Sequence, residues 1–213
     1  MLKKQVMKPV FLEKLEALSR RLSDASPKKP FIEDTLNRHQ AGFVGEKSLL
    51  FQFSYLPTDW LIFHDLRLHD GTHYFQIDFL IITNDSLLLL EVKNLAGRLI
   101  FDGTRQLIQE RENGTRGADS PIAQTARHER QLERWLTLHD FPHLPLTSLI
   151  VLANANSYFE TDHPGVLRAS MLPEHLPEET GPPMPTSIRT SLMEKLLHSH
   201  QPGQPYREIR YRS

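Results

Sequence analysis

The hydrophobic residues of the chain follow a helical spacing in four segments. In residues 10–22 the apolar side chains recur every three or four positions opposite a charged face, which predicts an amphipathic helix. Three further segments predict helices on the same grounds: residues 42–56, 120–139 and 187–198. Proline supports two boundaries, because Pro57 ends the second helix and Ser120-Pro121 is typical of a helix start. The residues of the second helix predicted to face inward are Val44, Leu49, Leu50 and Phe53.

Segments rich in β-forming residues predict strands between and after these helices. The predicted strands are residues 60–63, 74–83, 86–92, 97–101, 107–108 and 147–153. Turns are predicted at Asn84-Asp85, Asp102-Gly103 and Asn113-Gly114. The order α-β-β-β-α-β predicts a mixed α/β fold in which helices flank a central sheet.

The two ends of the chain differ from this middle part. Residues 1–29 contain eight Lys or Arg against three Asp or Glu, and residues 26–30 predict a linker. The basic segment could be an arm for a polyanion, but an amphipathic helix packed on the domain is the favoured interpretation. Towards the other end, the proline-rich residues 173–185 predict an extended surface segment.

Composition and charge exclude several kinds of site. The absence of cysteine excludes disulfides, zinc–thiolate sites and thiol catalysis. A net charge of −1 gives no sign of a nucleic-acid partner, although a balanced total can conceal a local basic face. The apolar runs, such as residues 87–90, are far shorter than the ~20 residues of a membrane span, so a cytoplasmic protein without a membrane partner is predicted. No phosphate-binding loop, dinucleotide fingerprint or serine-hydrolase motif is present.

The predicted hairpin at Asn84-Asp85 carries the main chemical inference. If these two residues form the whole loop, Asp78 lies opposite Glu91. Gln76 then lies opposite Lys93, and all four side chains share one face of the sheet. Opposed carboxylates repel each other at ~5 Å, so a cation between them explains the pattern most easily. Oxygen ligands without cysteine select a hard ion, Mg²⁺ or Mn²⁺.

Two other interpretations remain open from the residues alone. A three-residue turn would leave Asp78 and Glu91 on opposite faces of the sheet. Alternatively, Asp78 and Lys93 could form an ordinary cross-strand salt bridge, with Glu91 exposed at a strand end.

Four runs of sequence carry a family resemblance. They are Gly42-Phe43-Val44-Gly45-Glu46, Gln76-Ile77-Asp78-Phe79-Leu80-Ile81-Ile82, Leu90-Glu91-Val92-Lys93-Asn94-Leu95-Ala96-Gly97 and Ser120-Pro121-Ile122-Ala123-Gln124. In order and spacing they resemble the nuclease-related domain (NERD) family, part of the PD-(D/E)xK nuclease superfamily. Ile77 rather than proline precedes Asp78, as is usual for this family. The resemblance implies a restriction-endonuclease-like core at residues 38–154. Outside it we expect an N-terminal helical extension and linker at 1–37, and a C-terminal extension with a proline-rich segment and a short helix at 155–213.

The resemblance implies a metal site. Its ligands would be the side chains of Asp78 and Glu91 and the backbone carbonyl of Val92. Glu46 would be a further acid near the ion, which would be Mg²⁺ or Mn²⁺, and Lys93 would be the catalytic lysine. The position of Glu46 near the start of the predicted helix has a second explanation, because the helix dipole stabilises a carboxylate there.

The resemblance also implies contacts with a substrate. The residues concerned are Gln76, Lys93, Gln124 and His128. Gln124 would also take part in catalysis, from the helix that borders the site. Because Gln124 and His128 are four residues apart, a solvent-facing polar stripe explains them equally well. Two histidine pairs with metal-compatible spacing lie in turn or terminal settings: His69/His73 and His198/His200.

The leading hypothesis is a Mg²⁺-dependent nuclease that hydrolyses phosphodiester bonds of DNA, with RNA as an alternative substrate. The basic residues expected to contact phosphates are Lys93, Arg98, Arg105, Arg127 and those of the N-terminal segment. One rival hypothesis is a non-catalytic nucleic-acid- or protein-binding module that keeps the nuclease fold. Another is a purely structural domain in which Asp78 pairs with Lys93. The sequence leaves the oligomeric state open.

Overall fold

Four α-helices are present in the computed structural model, which describes residues 2–101, 106–176 and 181–203. They are α1 (Val10–Arg21), α2 (Lys29–Phe53), α3 (Pro121–Leu138) and α4 (Thr186–Ser199). All four predicted helices are confirmed, but α2 begins at Lys29 instead of residue 42. Pro30 lies in the first turn of α2, where a backbone N–H has no intrahelical acceptor, so proline does not disrupt the helix there. Because α2 begins at Lys29, the linker predicted at residues 26–30 is shorter than expected. The turn predicted at Asp102-Gly103 lies outside the described residues.

The described residues also form ten strands. The first five are β1 (Leu2–Lys4), β2 (Leu61–His69), β3 (Tyr74–Ile82), β4 (Leu87–Lys93) and β5 (Arg98–Phe101). The others are β6 (Gln106–Arg111), β7 (Gly114–Asp119), β8 (Leu146–Leu152), β9 (Tyr158–Glu160) and β10 (Val166–Arg168). The six predicted strands are confirmed. Strands β1, β9 and β10 have three residues each and β7 is exposed along its length, so no hydrophobic pattern predicts these four.

The strands are arranged in two sheets. The larger has the order β1-β2-β3-β4-β8-β10 and the smaller the order β7-β6-β5-β9. In the larger sheet β2, β3 and β4 are antiparallel neighbours, whereas β8 runs parallel to both β4 and β10. β1 is also parallel to its neighbour β2. The predicted mixed central sheet is therefore confirmed.

Helices cover both faces of the larger sheet. On one face, side chains of α3 and α4 such as Trp135 and Leu192 pack against β2, β3 and β4. On the other face, Leu49 and Phe53 of α2 pack against the same strands and β8. These two buried clusters confirm the α/β class with helices flanking a central sheet. Among the described residues, no helix combines the length and apolar character needed to cross a membrane.

The segments that precede α2 and follow β8 also pack against these helices and the larger sheet. At the N-terminus, α1 packs on α2 with Leu12 and Leu15 buried, so the packed-helix interpretation of the basic segment is confirmed for the described residues. Beyond residue 154, β10 pairs with β8 through Val166 and Ile150. Leu196 of α4 is fully buried in the core under β2 and β3.

Helix α2 approaches the sheet closely at a glycine. A Cβ atom at Gly45 would lie 2.6 Å from the Cβ of Asn94, just after β4, so only glycine fits without a shift. Gly45 is buried, whereas Val44 is 50% exposed, and the prediction that Val44 faces inward is wrong. The close approach brings Glu46, the next residue of α2, to the point where β3 and β4 separate.

Candidate active site

The hairpin between β3 and β4 has the predicted register. The amide of Thr83 donates to the carbonyl of Ser86 at 3.0 Å, so the loop has two residues and the three-residue alternative is wrong. The ladder then runs from Ile82–Leu87 to Phe79–Leu90 and ends there. The expected pairings of Asp78 with Glu91 and of Gln76 with Lys93 are not part of it, which corrects the prediction. Beyond Leu90, β4 continues only along β8, so β3 and β4 diverge.

Asp78 lies at an irregularity in β3. The β2–β3 ladder pairs every position from Leu61–Ile82 to His69–Tyr74 except Asp65 and Asp78. Asp65 has a φ of 55°, a left-handed conformation that interrupts β2 beside Asp78. Ile77 and Leu80 consequently pack in the same buried cluster, which strict alternation would forbid.

Gln76 does not join the acidic group. Its amide donates to Asp65 Oδ1 at 2.6 Å, and its side chain is exposed. The prediction that Gln76 shares one face with the two acids and Lys93 is therefore wrong, because alternation is interrupted at Asp78. Gln76 still lines the cleft beside the acids.

The carboxyl group of Asp78 occupies the space that opens between the two strands. Its Oδ2 accepts a hydrogen bond of 2.8 Å from the backbone N–H of Val92. Burial raises the pKa of Asp78 well above its ordinary value, and the negative charges of Glu91 and Glu46 raise it further. The Val92 N–H and the Lys93 ammonium oppose that rise in the pKa. Asp78 is thus held among acids in a place where negative charge is poorly solvated.

Glu91 and Lys93 form a closely paired group. Lys93 Nζ lies 2.6 Å from Glu91 Oε1 and donates to Gln124 Oε1 of α3 at 3.1 Å. Glu91 is only 2% exposed. The structural hypothesis in which Asp78 pairs with Lys93 and Glu91 is exposed is therefore wrong, since Lys93 contacts the buried Glu91. Gln124 faces the sheet, as its predicted role requires.

The other oxygen of Glu91 faces a buried histidine. Glu91 Oε2 lies 3.7 Å from His128 Nδ1, and neither atom has a hydrogen-bond partner. Burial lowers the pKa of His128, while the nearby Glu91 charge opposes this effect. His128 is buried, so the explanation of Gln124 and His128 as a solvent-facing stripe is wrong for His128.

Glu46 is paired with a histidine that the sequence did not single out. Its Oε2 lies 2.7 Å from Nε2 of His64, and His64 is 1% exposed. Glu46 stands in the middle of α2, so the helix-dipole explanation for it is wrong. No motif marks His64; only a polar residue within an apolar strand segment could have drawn attention to it.

The donor set at this place fits a hard divalent cation. Asp78 and Glu91 supply carboxylate oxygens, and Glu91 Oε2 is buried without a hydrogen-bond partner. Within the described parts of the chain, no three His, Asp or Glu side chains form a ready ligand cluster. Mg²⁺ nevertheless needs only one or two carboxylates, because it retains several of its waters.

A cleft of about 590 Å³ opens beside the acids. Its lining residues are His73, Tyr74, Phe75, Gln76, Asp78, Gln124, Arg127, His128 and Gln131. Arg127 is exposed in it, as a phosphate contact requires. Arg98 lies elsewhere, on β5, in ion pairs with Glu110 and Glu160, so the structure does not bring it to the site. Arg105 lies outside the described residues.

The remaining predicted histidines are scattered. His73 lines the cleft, His69 packs edge-on against Tyr74, and His200 Nδ1 accepts from the amide of Arg67. The N-terminal lysines are partly used in structure, since Lys4 donates to the carbonyls of His64 and Asp65.

Similarity to a known protein family covers the residues of the candidate active site. Comparison with functionally curated proteins finds no match, and comparison with solved structures finds none. A family model, that of the nuclease-related domain, matches residues 41–153, which is more than half of the 213 residues. The acids, Lys93, Gln124 and His128 all lie inside the matched range. The chain therefore belongs to the nuclease-related domain (NERD) family.

Proposed function

We propose that this protein is a metal-dependent phosphodiesterase that cleaves nucleic acid, with DNA as its expected substrate. One observation carries the proposal. Buried Glu91, with an oxygen that lacks a hydrogen-bond partner, stands beside Asp78 at the head of an open cleft in a nuclease-related domain. A buried carboxylate oxygen without a hydrogen-bond partner, placed beside a second acid, is expensive to fold unless it serves a ligand or a reaction.

Asp78 and Glu91 would hold the cation, Mg²⁺ or Mn²⁺, together with the backbone carbonyl of Val92. Glu46, already held by His64, would be a further acid close to it. When bound, such an ion polarises a phosphoryl oxygen and makes a bound water more acidic.

The other polar groups would position the reacting strand. Lys93 lies between Glu91 and Gln124, so its ammonium can turn from the carboxylate to a phosphate oxygen or to the attacking water. Gln124 holds Lys93 in that place. His128, whose Nδ1 lies 3.7 Å from Glu91 Oε2, would contact the strand from the wall of the cleft. Gln76 and Arg127 line the cleft where the strand would run.

Cleavage assays test the proposal directly. Purified protein is incubated with linear, circular and branched DNA and with RNA, in Mg²⁺, Mn²⁺ or EDTA. Asp78→Asn, Glu91→Gln and Lys93→Met should each abolish metal-dependent cleavage while the fold is retained. Glu133→Gln, an exposed carboxylate on the outer side of α3, is the matched control and should cleave like the parent protein.

Each possible result has a definite meaning. Cleavage that survives in Asp78→Asn and Glu91→Gln would show that the acids are not the reaction site. No cleavage on any substrate, with binding retained, would favour the rival hypothesis of a non-catalytic nucleic-acid-binding module.

A further inference from the structure

The hairpin end of β2 and β3 holds an aromatic ring at the mouth of the cleft. Tyr74 lines the cleft and is 46% exposed. Its hydroxyl donates to Gln201 Oε1 at 2.6 Å, and the guanidinium carbon of Arg67 lies 3.9 Å from the ring centroid. The His69 ring meets it edge-on, with 4.6 Å between centroids. The phenol ring is thus held from several sides while much of its surface stays open.

Two cationic side chains belong to this part of the molecule, because Arg67 contacts the ring and Arg127 lines the same cleft. In the described ranges, neither Arg67 nor Arg127 lies within ion-pair distance of a carboxylate; the arginines that do are Arg38, Arg98 and Arg134. The Arg67 guanidinium lies over the Tyr74 ring and donates to the carbonyl of Gln201, and the Arg67 amide donates to His200 Nδ1. Arg127 is exposed in the cleft. The two guanidinium groups are therefore able to contact phosphates of a strand.

A fixed aromatic ring beside cationic groups is the arrangement that binds unpaired bases. Single-strand-binding proteins stack bases on aromatic side chains and guide the backbone with basic residues. A base inside a duplex already has both faces stacked, so only an unpaired base can use such a ring. Arg67 covers part of the ring, which leaves its open surface for one base.

We propose that Tyr74, backed by Arg67, is a stacking platform for an unpaired nucleobase of a strand that enters the cleft. This inference rests on the proposed function, which it narrows to single-stranded or frayed nucleic acid. Tyr74 and Asp78 are four residues apart on β3, which corresponds to about 13 Å.

Binding measurements in EDTA test the platform without any cleavage. Fluorescence anisotropy compares a short labelled single strand, as DNA and as RNA, with a blunt duplex of the same sequence. Tyr74→Leu should weaken single-strand binding about tenfold and leave duplex binding nearly unchanged. Tyr74→Phe keeps the ring and should bind like the parent protein. Tyr158→Leu, the same change at a tyrosine that is 59% exposed on β9, is the matched control and should have no effect.

The salt dependence separates stacking from charge. Arg67→Gln should reduce the slope of log K against log salt by about one, whereas Tyr74→Leu should leave the slope unchanged. A 2-aminopurine placed along the strand should be quenched at one position in the parent protein, a readout that needs no variant.

The platform is wrong if Tyr74→Leu weakens duplex and single-strand binding equally, or if it leaves the affinity for the single strand unchanged. It is also wrong if Tyr158→Leu weakens single-strand binding as much as Tyr74→Leu does, or if no 2-aminopurine position is quenched. Failure of the platform and failure of the proposed function remain distinguishable. Cleavage that depends on Asp78 but is indifferent to Tyr74 refutes only the platform, and Tyr74-dependent binding without cleavage refutes only the nuclease.

Discussion

Removal of the Lys93 ammonium should destabilise the fold far more than neutralisation of Glu91, its ion-pair partner. Lys93 Nζ is 2.6 Å from a carboxylate oxygen of Glu91, whose side chain is 3% exposed, and Lys93 also counters the charge of Asp78. Lys93→Met leaves buried negative charge without a cation. Loss of one partner of a buried pair costs about 3–5 kcal/mol, and the 25% exposure of the Lys93 side chain places this case near about 3 kcal/mol.

Glu91→Gln should lower the free energy of unfolding much less than Lys93→Met does. It removes the charge that most strongly repels Asp78 after burial itself, and it leaves Lys93 partly accessible to water. The expected loss is below about 1 kcal/mol. Adding Glu91→Gln to Lys93→Met should therefore restore about 2 kcal/mol, which corresponds to a coupling energy of about 2–3 kcal/mol between these contacting charged groups.

Urea unfolding at neutral pH in EDTA measures all four proteins of this double-mutant cycle. The control is Lys8→Met, which removes a lysine 2.5 Å from Glu16 in a pair with more exposed side chains. It should cost no more than about 1 kcal/mol. If Lys93→Met costs no more than Lys8→Met or Glu91→Gln, or if the two site changes are additive, buried repulsion is not what Lys93 relieves.

Three further changes test other parts of the description. Saturating Mn²⁺ should raise the unfolding temperature of the parent protein by roughly 5–10 °C but not that of Glu91→Gln, as measured by calorimetry, and an equal rise would exclude Glu91 as a ligand. Two backbone amides hold the pKa of Asp70 at about 2, below the usual 3.8, so its carboxylate stabilises the fold above pH 4. The parent protein should therefore be more stable than Asp70→Asn by about 1–2 kcal/mol at pH 7, a value discounted for solvent screening. Unfolding curves should show this difference in the free energy of unfolding shrinking as the pH falls from about 4 to 2. Gly45→Ala should destabilise the fold by about 1–3 kcal/mol through its contact with Asn94, whereas Gly42→Ala, with open space around it, should stabilise α2 by up to about 1 kcal/mol; equal effects in urea would contradict the close packing.

Local patterns were enough to predict the hairpin that organises the candidate site. The turn at Asn84-Asp85 fixes which residues pair, and the leucines of β4 show that the strand is buried. The irregularity at Asp78 was not predictable, because it depends on the left-handed conformation of Asp65 on a neighbouring strand.

The partners of the acids were also beyond local patterns. Glu46 meets His64 only after a helix and a strand have packed across Gly45, and residues so far apart have no shared periodicity. The same holds for Lys93 and Gln124, which a family resemblance brings together but spacing alone does not.

The two outermost strands of the larger sheet both come from outside the family match. β1 covers the free edge of β2, and β10 covers the free edge of β8, while residues 41–153 contain neither. A fragment trimmed to the matched range would present two unprotected edges, each able to pair with another copy, and would aggregate. The unit that recurs as a family is thus smaller than the unit in which both edges of the larger sheet are covered. Any fragment prepared for work on this protein should keep the residues that supply both edges.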